Sequence, residues 1–249
     1  MGIGNHFLFE LRKRLPALRR KPYAESLPWS LRDRIPSGPL TSHQAFKLSE
    51  SALRQNLMYG EILKQIPLPK SEGKPYRALD IGSRHFVYAP ILSHWIQNET
   101  DAPQIELTGL ELDPYVFYFD LYRRMDLGRY YAEIASSSKA SVTYQEGDWL
   151  SYPAGEPLDL ITCFFPYLFQ DLHQGDRLPL RSFDPELCYA KIVRTTKFVI
   201  FFHQGPEEAR RSESLLAALP QVSIQSRFAV QETAYGRRKH PLYVISARV

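Results

Sequence analysis

Apolar and polar positions along the chain change rhythm from block to block. From residue 41 onward Ala45, Phe46, Leu48, Ala52, Leu53, Leu57, Ile62, Leu63 and Ile66 recur mostly three or four apart, the spacing of one helical face. Thr41-Ser42 supply an N-cap, and Pro67 and Pro69 stop the helix. After the polar link at 70–74, short apolar runs at 76–81, 105–110, 141–144, 158–165 and 197–202 read as strands. Helical patterns at 88–97, 114–134 and 185–193 fall between some of them. That alternation predicts a parallel sheet built from βαβ units. The tail breaks the rhythm: strand-like runs at 222–231 and 242–249, joined through Gly236, predict an antiparallel hairpin.

The first 40 residues hold Pro16, Pro22, Pro28, Pro36 and Pro39, which forbid a long uninterrupted helix. We therefore expect residues 1–70 to be an N-terminal arm and helical cap, and 71–249 to be one α/β domain. Arg12, Lys13, Arg14, Arg19, Arg20 and Lys21 crowd the arm, and Arg237, Arg238 and Lys239 form a second basic cluster. Each is a solvated surface by default and a phosphate or anionic-membrane contact otherwise. Cys163 and Cys188 match no metal or redox spacing, so a zinc site and a disulfide framework are not expected, and a reducing cytoplasm fits best. The opening residues lack the continuous apolar stretch of a signal peptide, and no window reaches the apolar length of a membrane span.

In an open parallel sheet, ligands bind beyond the carboxyl ends of the strands. The first predicted strand ends Asp80-Ile81-Gly82-Ser83, an acid followed by a glycine that lets backbone approach a ligand. The second ends Gly109-Leu110-Glu111-Leu112-Asp113, where a carboxylate can accept both hydroxyl hydrogens of a ribose. The third ends Glu146-Gly147-Asp148-Trp149, an acid and a ring suited to the amine and face of an adenine. The fourth ends Phe164-Phe165-Pro166-Tyr167, an aromatic wall that suits a sulfonium cation. Each has a plainer reading beside it: Asp80 as a helix cap, Gly147-Asp148 as a turn, and Trp149, Phe164, Phe165 and Tyr167 as core.

Over residues 74–249 this order of elements and acids resembles the class I S-adenosylmethionine-dependent methyltransferases. In that family an acid, any residue and a glycine open the first loop, as Asp80, Ile81 and Gly82 do, and acids follow the second and third strands, as Glu111 and Asp148 do. The resemblance implies an α/β fold with a doubly wound, Rossmann-like seven-stranded sheet, mostly parallel with an antiparallel C-terminal hairpin strand. It implies S-adenosylmethionine as cofactor, with S-adenosylhomocysteine as product. Asp80, Gly82 and Ser83 would line its methionine end, Glu111 the ribose, Asp148 and Trp149 the adenine, and Phe164 the sulfonium, with Leu112 also among the cofactor-binding residues. Tyr167 and His203 are the pocket-side candidates for orienting or deprotonating the acceptor. Where the family's first loop carries further glycines this chain has Arg84 and Phe86; an Arg there can meet the methionine carboxylate. Phe164-Phe165-Pro166-Tyr167 is similar to the Asn-Pro-Pro-Tyr motif of amino-group methyltransferases without its Asn, so nitrogen methylation does not follow.

Methyl transfer needs mainly positioning, because the donor already carries a good leaving group. The expected acceptor is a small molecule; RNA, tracked by the basic ends, is the second candidate. As a whole-protein reading the runner-up is a catalytically degenerate binding protein of the same fold, and an RNA-modifying enzyme comes third. The arm could reach a second subunit as readily as its own pocket, so a homo-oligomer stays open.

Overall fold

The computed structural model describes residues 2–14, 40, 42–118, 122–153 and 155–249. The five prolines of the arm, with Arg19, Arg20, Lys21 and the proposed cap Thr41, lie outside them.

Seven strands form one sheet in the order β3-β2-β1-β4-β5-β7-β6. They are β1 (Tyr76–Ile81), β2 (Ile105–Glu111), β3 (Ala140–Glu146), β4 (Leu160–Phe164), β5 (Phe198–His203), β6 (Ser223–Thr233) and β7 (Gly236–Arg248). Strands β1 to β5 run parallel, and β7 is antiparallel to both β5 and β6. The sequence explains who sits where. β4 and β5 are buried at every position and apolar except for Thr162 and His203, as central strands covered on both faces are. β3 alternates buried and exposed along Ala140 to Tyr144, and β6 is never fully buried, as befits edges.

Helices cover both faces. α3 (Glu50–Leu63), α4 (Ala89–Thr100) and α5 (Arg124–Ala135) bury Leu53, Leu57, Trp95 and Ile134 in one apolar cluster with β1 and β2 residues. On the other face α7 (Pro185–Thr195) and α8 (Pro206–Ala217) bury Tyr189, Ile192 and Leu216 against Val199 and Phe201. Two short helices, α2 (Ser42–Phe46) and α6 (Gln170–Gly175), the N-terminal α1 (Gly2–Arg14) and one 3₁₀ turn at Leu180–Ser182 complete the set among the described residues.

Three local differences from the sequence expectation have clear causes. The helix expected over 41–66 splits into α2 and α3, because the Ser49 hydroxyl accepts from the Ala52 N–H and starts a new helix. The helix expected from 114 begins only at Arg124: Phe117 pairs with Arg123 as an isolated bridge, and the Asp126 carboxylate caps the Arg123 N–H. α8, not expected, buries only Ala209, Ser212, Leu215 and Leu216 in a charge-rich segment, too sparse a stripe to read as periodic.

The strand order reverses between β1 and β4, so the crevice at their carboxyl ends is the switch point where such sheets bind ligands.

Candidate functional site

The loop after β1 takes a glycine-like course without the glycines. Gly82 has φ +73°, and Arg84 and Phe86 follow at φ 51° and 54°. A side chain in that left-handed region costs about 1–2 kcal/mol, so the loop must be held by its surroundings. The Arg84 N–H donates to Glu111 Oε2 at 2.7 Å, and Tyr144 Oη donates to the Arg84 carbonyl at 2.5 Å. The Phe86 ring is fully buried and lies over Gly109, where a Cβ would stand 2.8 Å from two ring carbons. Gly109 thus makes the room that Phe86 fills.

Beneath the loop Asp80 is fully buried. Its Oδ1 accepts from Thr162 Oγ1 at 2.6 Å and its Oδ2 from Tyr88 Oη at 2.7 Å. Burial pushes its carboxyl up to about 7, against the opposing pull of these hydrogen bonds. Ser83 is fully buried too, its hydroxyl on the Asp80 carbonyl. Both support the loop from below, and neither lines the cavity described next.

That cavity, about 120 Å³, opens at the carboxyl ends of β1, β2 and β4. Gly82, Glu111, Leu112, Asp148, Trp149, Phe164 and Tyr167 all line it. It shares Leu112, Gly147, Asp148, Leu150 and Ser182 with an adjoining groove of about 630 Å³ that Phe9 and Lys13 of α1 flank. Together they fall in the roughly 300–1,000 Å³ that small-ligand sites span. Residues of α2 and α3 line neither space, so among the described residues α1, and not the helix after residue 41, stands at the site.

Glu111 is almost fully buried and heavily engaged. Oε1 accepts from Arg124 Nη1 at 2.8 Å and from the Asp113 N–H at 3.0 Å, while Oε2 accepts from the Arg84 N–H. Three of roughly four acceptor positions of the carboxylate are therefore used. Asp113, also buried, pairs with Arg12 of α1, and the Phe9 ring meets Tyr115 edge-on. Asp148 accepts from the Leu150 N–H at 2.9 Å, closing the turn after β3. Trp149 packs there under Lys191, whose Nζ lies 4.8 Å from the ring and donates to the carbonyls of Trp149, Leu150 and Tyr152.

Over the crevice runs the segment from Phe165 to Asp184. Phe165 has φ 62°, a strained turn directly after β4. Phe164 stacks on Phe202 and Tyr88, both at 4.0 Å, so both faces of its ring are packed in the core, and the residue also lines the cavity. Tyr167 Oη donates to Asp176, which also pairs with the Arg84 guanidinium at 3.1 Å. His173 is buried and lines the cavity. His203 is elsewhere: fully buried, away from the cavity lining, with no hydrogen-bond partner for either ring nitrogen among the described residues, and pushed down to about 4 by burial.

The site thus gathers Glu111, Leu112, Asp148, Trp149, Phe164, Tyr167 and Gly82, holds Asp80 and Ser83 beneath it, and leaves His203 outside. Arg124, Lys191 and His173 were not foreseen. Arg124 and Lys191 belong to no motif, and His173 was one of several scattered histidines.

The sheet order with its antiparallel seventh strand is the doubly wound, mostly parallel seven-stranded arrangement that the sequence resemblance implies. No family model matches the sequence, and no curated protein matches it. Solved structures with a similar course include the N-methyltransferase NodS of Bradyrhizobium japonicum with S-adenosylhomocysteine, 14% identical, over 98% of this chain and 97% of that one, TM-score 0.49. A precorrin-6y C5,15-methyltransferase of Geobacter metallireducens is 14% identical over 77% of this chain and 87% of that one, TM-score 0.49. A magnesium protoporphyrin IX methyltransferase of Synechocystis with bound S-adenosylhomocysteine is 10% identical over 79% and 83%, TM-score 0.49. At that level of overlap the functional reading rests on the residues of the site itself.

Proposed function

We propose that the protein is an S-adenosylmethionine-dependent methyltransferase acting on a small-molecule acceptor. The carrying observation is that acids after two adjacent strands, Glu111 and Asp148, line one crevice at the switch point of a seven-stranded sheet, while Asp80 at the end of the third braces the loop beneath it. The residues fit the cofactor. Glu111 keeps an acceptor position for a ribose hydroxyl, Leu112 and Leu150 offer apolar faces to an adenine, and Asp148 stands beside them. The Arg84 guanidinium, half-exposed at the rim, suits the methionine carboxylate. When bound, S-adenosylmethionine supplies a methyl carbon whose bonding pair stays on sulfur as an acceptor lone pair takes its place. The chain's own part is to hold both partners in line, which accounts for several kcal/mol of acceleration, and to exclude water with the 165–184 segment.

A small molecule is favoured over RNA because the crevice is narrow and roofed. The exposed Arg237 and Lys239 sit on the β6–β7 hairpin and line neither the cavity nor its groove. The second reading, a binding protein without catalysis, draws on the ion pair that engages Glu111. Calorimetric titration with S-adenosylmethionine and S-adenosylhomocysteine tests the proposal. Micromolar binding of either supports it, and no binding at millimolar ligand overturns it. Tight binding without methyl transfer across an acceptor panel would establish the second reading.

A further inference from the structure

His173 occupies an unusual position in the roof of the cavity. Its side chain is buried, it lines the cavity, and its Nδ1 has no hydrogen-bond partner among the described residues. Its other nitrogen, Nε2, lies 3.3 Å from Ser182 Oγ. The single hydrogen of that hydroxyl is committed elsewhere, because Ser182 Oγ donates to the Pro179 carbonyl at 2.7 Å. Towards His173 the serine can therefore only accept, so Nε2 carries the ring hydrogen and Nδ1 is left with a bare lone pair.

An unpartnered buried acceptor is costly, and natural proteins tend to keep one where something else completes it. Desolvation also lowers the pKa of His173, which keeps the ring neutral and able to take up a proton, while Asp176 pulls in the opposite direction. The ring stands edge-on to Tyr167 with centroids 5.3 Å apart, and tilted against Phe183 at the same distance. With Phe165 and Leu178 these form an apolar, ring-rich wall whose unpaired polar atom is Nδ1.

We propose that the acceptor is a planar aromatic alcohol lying against this wall, its hydroxyl donating to His173 Nδ1, which takes that proton as the oxygen lone pair becomes free to react. The proposal rests on the methyl-transfer reading for what the oxygen then receives, but the hydroxyl subsite stands on its own geometry. Ser182 is a positioning residue: it fixes which nitrogen is bare.

The test is equilibrium binding of 4-nitrophenol and of nitrobenzene, the same ring without the hydroxyl, with and without S-adenosylhomocysteine, at a pH where the free phenol keeps its proton. The wild type should prefer 4-nitrophenol by about tenfold, the scale of one buried hydrogen bond. H173F should abolish the preference while nitrobenzene and S-adenosylhomocysteine still bind. H173N, whose amide oxygen can accept near the place of Nδ1, should restore part of it. Equal affinity for the two probes, no binding of either at millimolar concentration, or a preference that survives H173F would overturn the proposal. Nitrogen NMR of the histidines gives an independent reading: His173 carrying its hydrogen on Nδ1 would also sink it. If the preference holds but S-adenosylhomocysteine fails to bind, the methyl-transfer reading falls and the hydroxyl subsite remains.

Discussion

Arg124 Nη1 donates to Glu111 Oε1 at 2.8 Å inside a nearly closed pair, the two side chains 12% and 6% exposed. The acid expected to hold a ribose is thus already held by a cation from α5, and the pair joins the β1 loop through Arg84 to the docked α1 through Asp113 and Arg12. Removing one partner of such a pair leaves a buried charge uncompensated. R124M should lower stability by about 3–5 kcal/mol, measured by urea denaturation. E111A should weaken S-adenosylhomocysteine binding by about 1–3 kcal/mol, the loss of a charge-assisted hydrogen bond. Unchanged affinity in a folded E111A protein would remove Glu111 from the site.

Gly109 faces the Phe86 ring and Ser83 Oγ so closely that a methyl group there would stand 2.8–2.9 Å from them. G109A should cost about 1–3 kcal/mol through overpacking and weaken cofactor binding together with stability, since the ring it displaces anchors the loop that carries Gly82 and Arg84. Thermal melts with and without S-adenosylhomocysteine read both effects; a fully stable G109A would contradict this packing account.

Lys191, lying over the Trp149 ring, ties three carbonyls of the turn after β3. K191M keeps most of the packing and removes the donors, so stability should fall by about 1–3 kcal/mol, and S-adenosylhomocysteine should bind more weakly as the Asp148–Trp149 turn loosens. Calorimetry on the folded variant checks it; unaltered affinity would mean that the turn does not touch the nucleoside.

His203 is neutral in the fold because burial pushes it down to about 4, whereas in the unfolded chain it titrates near 6.5. Its contribution to stability is therefore complete above about 6.5 and is lost as the pH falls toward 4, because the unfolded state takes up the proton first. H203F removes two unpartnered buried nitrogens and should stabilise the protein by about 1–3 kcal/mol at neutral pH. The gap to wild type should widen on acidification, by up to about 1.4 kcal/mol per pH unit. Melting curves across that range decide it, and a constant gap would mean that His203 is not buried as the fold places it.

Much of this was legible in the chain before folding. The five parallel strands, the terminal hairpin and the acids at three strand ends follow from apolar runs and the residues that close them, because strand period and burial are local properties of sequence. The same locality misplaced two helix starts, where Ser49 and Asp126 cap new helices inside patterns that read as continuous. It also passed over α8, whose apolar stripe is thin.

What the sequence by itself determined is the alternation that makes a doubly wound sheet and the chemistry set at its carboxyl edge. Only the tertiary structure decided how that chemistry is held: that Arg84 and Phe86 take glycine-like turns because Gly109 and Glu111 receive them, that Arg124 covers Glu111, and that His173, a residue of the cavity lining, is left with one buried, bare nitrogen. Each of those contacts joins residues that no helical or strand period relates. Their meeting depends on the order in which the strands pack, and hence on the whole core.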